Sequence, residues 1–519
     1  MTRETDMHCT PSIRPARALL LGAMALALGG CAVGPNFVKP KPNVPAHWSP
    51  TAMRNGTAGA SRITTRGPLT VAWWSSFHDP LLSSLVRRAA AQNLTVREAA
   101  LRVREAQAQT AVLTSNLWPD LSATASWARQ RVSTNTPSGV LFTLPKGTIP
   151  GIPPGILTNP YNMSQVGLGA SWTLDLFGTT QRAIEAARAE TEAAIYNGRD
   201  VLLTMISDVA QTYIQLRGAQ WRQAILLRTL AAQRSLLQLT RDRYQAGLTT
   251  DLDVQNAAAE LATTRAQLPL ANDQITVEIN QLSDLLALPP EALRAELARA
   301  RPVPPVPPVV PIGLPSQLLR RRPDILAAEA DLHAATEQIG VAISEFFPSI
   351  TLTAQGGYQS TGIGDLIEAA SHIATFGPQI NLPIFEGGRI RATVRLRRLQ
   401  AKQAAVVYAR TVLTALNQVE NALAAYGADQ QRRVALESAV RASRNALNLA
   451  RQRYTSGIAN FINVLEAERA EEDTKLAQAS ATTAVSLDLV GLYQALGGGW
   501  QSPSLAPSSG PAPSVRRGA

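Results

Sequence analysis

Two stretches of this sequence match each other: Arg241-Asp-Arg-Tyr-Gln-Ala-Gly-Leu248 followed by Asp253-Val254-Gln-Asn-Ala257, and Arg451-Gln-Arg-Tyr-Thr-Ser-Gly-Ile458 followed by Asn463-Val464-Leu-Glu-Ala467. Tyr244 aligns with Tyr454, Gly247 with Gly457, Val254 with Val464 and Ala257 with Ala467, all at one constant offset. In each copy a helical pattern runs in, breaks at Gly, and a second helical pattern runs out. Gly ends a helix in the left-handed conformation without a Cβ penalty. Both stretches therefore read as tips of long helical hairpins, and two copies in register imply an internal duplication.

Upstream of the first tip, residues 180–244 carry a helical pattern without Pro, about 100 Å of helix at ~1.5 Å per residue. Leu202, Ile206, Val209, Tyr213 and Leu216 follow steps of four and three, the spacing of a coiled-coil seam. Val412, Leu416, Val419, Leu423 and Tyr426 repeat that seam at the same offset as the tips. The first returning helix is expected to run to about Leu286, where Pro289 and Pro290 follow, and the second from Phe461 to about Leu496. Earlier, Asp79-Pro80 is a helix start, with Asp as cap and Pro in the first turn. One long helix is expected from Leu81 to about Leu117, and Trp73, Trp74 and Phe77 are expected to pack the preceding arm onto the body.

Each of the two longest helical stretches is preceded by strands. Leu121, Ala123, Ala125 and Trp127 alternate with Ser and Thr, and Val166, Leu168, Ala170, Trp172, Leu174 and Leu176 alternate with Gln, Gly, Ser, Thr and Asp. In the second half Ile350, Leu352, Ala354, Gly356 and Tyr358 alternate with Thr and Gln, and Ile380, Leu382 and Ile384 with Gln379, Asn381 and Pro383. Period two with one apolar face is a strand signature, and about ten residues is the length of a tilted membrane-spanning strand. Four such strands cannot stand alone in a bilayer, because unpaired edge groups cost several kcal/mol each in hydrocarbon. Several protomers must close a barrel, and the helices continuing from the strands must close with it into a tube.

Residues 1–30 are a signal peptide: Arg14 and Arg17 precede an apolar run over residues 18–28, too short to span a bilayer. Leu28-Gly29-Gly30-Cys31 resembles a bacterial lipobox, with Cys31 as the acylated, palmitate-bearing first residue of the mature chain and Ala32 directing it to the outer membrane. Residues 31–78 form an extended, Pro-containing arm with little helix or sheet. Residues 79–300 make the first repeat, with a strand hairpin at 120–176 and its tip near 247. Residues 301–315 are a Pro-rich linker. Residues 316–496 make the second repeat, with a helix from Arg322 to Phe346, strands at about 349–359 and 376–385, and its tip near 457. Residues 497–519, rich in Gly, Pro and Ser, read as a disordered tail.

As a set, several motifs carry a family resemblance: Cys31-Ala-Val-Gly-Pro-Asn-Phe37, Trp74-Ser-Ser-Phe77-His-Asp79-Pro80, Leu319-Arg-Arg-Arg322-Pro323-Asp324-Ile325, Phe346-Phe347-Pro348-Ser349-Ile350, Pro383-Ile-Phe385-Glu-Gly387-Gly388-Arg389 and the two Tyr-x-x-Gly tips. From residue 31 to 496 the chain resembles the TolC-like outer-membrane efflux proteins, and within them the lipoprotein branch serving resistance-nodulation-division (RND) pumps. The resemblance implies a mainly α fold with a membrane β-barrel. It implies a homotrimer with a twelve-stranded barrel, a periplasmic helical tunnel and an equatorial Pro-rich belt. A periplasmic adaptor protein would dock at the tips and join the channel to an inner-membrane RND pump, giving a multidrug-resistance exit duct. By resemblance the tips also form the tunnel aperture, with Asp253, Tyr454, Asn463 and Glu466 as its residues and Tyr454 reaching toward Asp253. Asn463 stands where relatives often carry Asp, and Ala459 where some carry an Arg that ties the closed state. The docking residues would be Gly247, Leu248, Gly457 and Ile458, supported by Arg243 and Arg453, whose charges equally suit helix C-termini.

The 49 Lys and Arg against 38 Asp and Glu give a formal charge of +11. These charges are spread along helices among acids, and an exported protein seldom meets nucleic acid, so solvated helix faces explain them without a nucleic-acid partner. Five His without metal spacing, no nucleophile motif and no phosphate loop point away from an enzyme, a metal or any other cofactor. Two alternatives remain from the residues alone: an outer-membrane duct for type I protein secretion, and a lipid-anchored envelope tether without a pore.

Overall fold

In the computed structural model, which describes residues 32–50, 61–67, 71–145, 150 and 158–501, each copy of the duplicated stretch closes a helix of 67 residues. The expected signal peptide, the expected lipidation residue Cys31 and residues 502–519 lie outside the described residues. Helices α1 (Pro80–Gln92), α2 (Leu94–Ser115), α3 (Thr179–Gln245) and α4 (Asp251–Leu285) belong to the first half. Helices α5 (Pro323–Ser344), α6 (Arg389–Thr455) and α7 (Phe461–Ala495) belong to the second. The strands are β1 (Arg62–Thr64), β2 (Asp120–Gln130), β3 (Tyr161–Leu174), β4 (Val309–Pro311), β5 (Ser349–Ser360) and β6 (His372–Asn381). No helix among the described residues is long and apolar enough to cross a membrane.

Two compact units share the chain. One takes the residues up to Val38, Ala106–Thr191 and Leu332–Ala404; the other takes Lys39–Glu105, Glu192–Asp331 and the residues from Ala405 on. Each unit draws matching pieces from both halves of the sequence.

The first unit holds a four-stranded antiparallel sheet in the order β2-β3-β5-β6. Its register decides the character of its faces, since directly opposed residues share a face. Ala123 opposes Leu168, which opposes Gly356, which opposes Ala374; Leu121, Ala170, Ala354 and Phe376 make the next row. Trp172, Leu352 and Pro378 make another row, and Leu174, Ile350 and Ile380 a further one. The other face has rows such as Ser122, Gly169, Gln355 and Thr375. A one-residue slip would scramble this sorting. Leu121, Leu168, Phe376 and Ile380 are exposed. Strands β2 and β6 each have a neighbour on one side only among the described residues. Pro378 is tolerated because β6 is an edge strand with one side free of ladder bonds. The fourth strand therefore occupies 372–381 rather than 376–385, so Leu382, Pro383 and Ile384 fall beyond the ladder, and the first hairpin's second strand closes at Leu174 rather than Leu176.

The second unit buries the helical seam. Ile206, Val209, Tyr213 and Leu216 share a core with Val412, Val419, Leu423 and Tyr426, while Leu202 and Leu416 pack at its margin. Trp73, Trp74 and Phe77 are buried in the same core, Trp73 stacking on Tyr493 at 5.3 Å. Asp79 caps α1, its Oδ1 accepting from Leu81 N and Leu82 N, while Oδ2 accepts from the Tyr213 hydroxyl at 2.6 Å.

Four expectations are corrected here. The long helix from Leu81 is two helices, because Asn93 leaves helical geometry and its Oδ1 accepts from Val96 N while Nδ2 donates to Leu285 O; such side chains offer the backbone an alternative to the helix. The arm and the Pro-rich linker are not wholly irregular: β1 and β4 pair in parallel, with Ile63 opposite Val310. The helix opening near Arg322 ends at Ser344, short of Phe346. Residues 497–501 are packed rather than disordered, since Gly498 O accepts from Trp73 Nε1 and Trp500 Nε1 donates to Arg321 O.

Candidate functional site at the hairpin tips

Both tips are built by the same backbone device. Gly247 and Gly457 have φ of 73° and 74°. Gly247 N donates to Tyr244 O and Leu248 N to Arg243 O; Gly457 N donates to Tyr454 O and Ile458 N to Arg453 O. This pair of bonds is a Schellman motif, which satisfies carbonyls that a helix end otherwise leaves orphaned.

The two hairpins share one core at their tips. Leu237, Val254 and Ala257 from the first copy pack with Leu447, Tyr454, Phe461 and Val464 from the second. The matched tyrosines part company here: Tyr454 is 4% exposed and meets Phe461 edge-on at 5.7 Å, whereas Tyr244 is 47% exposed. Arg243 crosses between the copies, its guanidinium 4.7 Å from the centre of the Tyr454 ring and its Nη1 donating to Thr455 O at 3.4 Å. Arg453 is exposed, as are Asn463 and Glu466.

Asp251 and Asp253 sit in the first turn of α4, where carboxylates complement the helix dipole, whereas α7 has no acid in its first turn. Asp253 accepts a hydrogen bond from the Thr249 hydroxyl. Within the chain the Tyr454 hydroxyl has no hydrogen-bond partner among the described residues, so the expected Tyr454–Asp253 bond is not made inside one protomer. Burial of the Tyr454 ring under Arg243 and against Phe461 holds it away.

Leu248 and Ile458 are 65% and 69% exposed and crown the two tips. Sequence reasoning overlooked Leu252 and Ile462, which are also exposed and stand at matching places one turn on. The signal was present, since both are apolar at the second position of a helix.

A buried carboxylate group behind the tips was also overlooked. Glu260 on α4 and Glu468 and Glu472 on α7 are all buried. Glu260 Oε2 accepts from Arg469 Nε and Nη2 at 2.8 and 2.6 Å, and Glu468 Oε1 lies 3.4 Å from Arg451 Nη2. Burial pushes the Glu468 carboxyl up from its ordinary 4.5 to about 7, against the pull of Arg451 and with the push of Glu260, Glu472 and Glu471. Burial raises Glu472 as well. The folded chain keeps a proton on Glu468 at pH values where the unfolded chain has released it. This group's contribution to stability is full below the unfolded value and is lost as pH rises from there toward about 7. Glu468→Gln should accordingly raise the melting temperature more at pH 8 than at pH 5. Equal shifts at both pH values, read by circular dichroism of the detergent-solubilised protein, would show that Glu468 does not titrate as stated.

Long helical hairpins with two-copy tips, together with a ribbon of four strands bearing one apolar face, define a channel-forming membrane protein. The family model for outer membrane efflux proteins matches residues 85–288 and 314–498. The chain belongs to that family. It is 32% identical over 462 residues to nodulation protein T of Rhizobium leguminosarum bv. trifolii, covering 88% of this chain and 92% of the relative. It is 31% identical to the toluene efflux pump outer membrane protein TtgC of Pseudomonas putida, covering 93% of this chain and 95% of the relative. The solved outer-membrane channel OprN superposes with a TM-score of 0.79 at 33% identity, over 91% of this chain and all of that one. The protein is thus an outer-membrane efflux channel, a transport protein and not an enzyme, with the fold class expected from its sequence. A pore-free tether is set aside by this membership.

Proposed function

We propose that the channel works as a homotrimer whose three ribbons close a twelve-stranded barrel, and that it is the passive exit duct of a three-part RND pump. Cys31 carries the lipid anchor, including palmitate. A periplasmic adaptor docks on the tips through Leu248 and Ile458, with Gly247 and Gly457 setting the turn and Arg243 and Arg453 flanking it. The cargo is small toxic compounds, of the kind for which the toluene efflux relative is named. The observation that supports this reading most is the register of the sheet, which gathers most large apolar residues of the four strands on one face, Met163 and Ile373 apart, and leaves two outer strands needing partners. In hydrocarbon those edges are tolerable only when closed. Purified protein should give discrete current steps in planar bilayers and a trimeric mass in detergent; a monomer without current would end this reading.

At the aperture, Asp253, Asn463 and Glu466 line the closing end of the tunnel, with Tyr454 buried behind them under Arg243. Asp253 accepts a hydrogen bond from the Thr249 hydroxyl beside its own helix start. Asp253→Ala should raise single-channel conductance, and conductance equal to wild type would remove Asp253 from the aperture.

A further inference from the structure

The described chain begins one residue after Cys31, and those first residues are gripped. Arg182 and Glu337 form an ion pair at 2.5 Å with side chains only 5% and 3% exposed. Arg182 also reaches the N-terminal segment, Nη2 donating to Asn36 Oδ1 at 2.7 Å and Nε to Val33 O at 3.3 Å, while Nη1 additionally donates to Glu185 Oε2. Val33 N in turn donates to Phe177 O at 3.2 Å, where β3 gives way to α3. The Phe37 ring stacks on His333 at 4.4 Å, and His333 Nε2 lies 3.5 Å from Glu337 Oε1.

Two close backbone approaches complete the grip. Gly34, at φ 101°, lies so near Gly340 of α5 that a Cβ on Gly34 would stand 2.5 Å from the Gly340 Cα. A Cβ on Gly178 would stand 2.7 Å from Ala32 Cα. An ordinary tether needs none of this: a buried charge pair is costly to assemble, and Gly is demanded where backbones touch.

We infer that the Arg182–Glu337 pair, with Gly178 and Gly340, is a seat for the mature N terminus, and that it fixes the acyl anchor beside the point where the strand ribbon ends. Its ligand is the chain's own segment from Ala32 to Phe37. The role rests on the reading of Cys31 as the lipidated residue; the seat itself rests on the contacts above. With Ala32 held against Gly178, an acyl chain on Cys31 leaves within one residue of the β3–α3 junction. Anchor and ribbon then enter the same layer of the membrane as one fixed arrangement, not through a swinging leash.

The test uses the full-length protein expressed with its own signal, and the variants Asn36→Ala and Gly34→Val, which change only the arm and leave the buried pair intact. Hydrogen exchange is followed in the peptide spanning residues 32–38, and labelled palmitate uptake is measured in parallel. In wild type the Val33 amide should be protected. Each variant should exchange about tenfold to a hundredfold faster there, the loss expected for one or two bonds to a charged group, with palmitate uptake unchanged. Palmitate present but wild-type exchange at the free-peptide rate, or variants as protected as wild type, would overturn the seat and leave lipidation standing. Protection without palmitate would overturn the anchoring role and the lipidation reading together.

Discussion

Aspartate at both crowns, Leu248→Asp with Ile458→Asp, is expected to lower drug efflux to the level of a deletion strain while the channel still folds and forms pores. Both side chains are mostly exposed and outside the tip core, and the turn is made by backbone bonds that the substitutions leave alone. Folding should therefore be indifferent. Burying a Leu or Ile against a partner is worth about 1.5–3 kcal/mol each, and a carboxylate forced into the same contact adds a desolvation cost. A loss of about 4 kcal/mol or more corresponds to roughly a thousandfold weaker association. Susceptibility across a chemical panel, with bilayer conductance as the folding control, decides it. Wild-type resistance in the double variant would move the docking site elsewhere.

Glu337→Ala should be the most damaging single change in the first unit, costing about 3–5 kcal/mol, because it strands a buried guanidinium without its carboxylate. Arg182 has Glu185 Oε2 at 3.3 Å as a partial substitute, and that carboxylate is a third exposed, so the rescue is incomplete. Replacing both partners together, as Arg182→Met with Glu337→Leu, should restore most of the loss, since an apolar pair of similar volume is often neutral or better. Thermal unfolding in detergent of Arg182→Met, Glu337→Leu and the double variant reads the coupling directly. Equal stability of Glu337→Ala and wild type would mean that water reaches the pair.

The helices, the strands and the two tips were legible because each has a period: three and four for the seams, two for the ribbon, one fixed offset for the duplication. What the sequence hid was non-local or chemically ambiguous. Asn93 sits in a run rich in Ala and Arg, and only its bond to Leu285 O reveals that it ends one helix and begins another. Ile63 and Val310 pair over three residues, too few to leave a pattern. Tyr244 and Tyr454 look alike in sequence, yet only one faces Phe461, so the copies cannot be assigned the same role by alignment. Glu260, Glu468 and Glu472 read as surface charge until the packing of α4 with α7 buries them. Arg182 and Glu337 lie in different halves, and nothing local joins them.

The pairing of β1 with β4 has a consequence for how the molecule is made. Trp48 Nε1 donates to Gly313 O across 265 positions of sequence, and Ser49 reaches Glu420 farther still. A chain delivered amino end first thus emerges with its arm complete and its arm's partners not yet delivered. Contacts of such separation form slowly, so Trp48 and Ile63 can be covered only after Gly313 and Val310 have been made. The arm that leaves first is among the last pieces to be fastened.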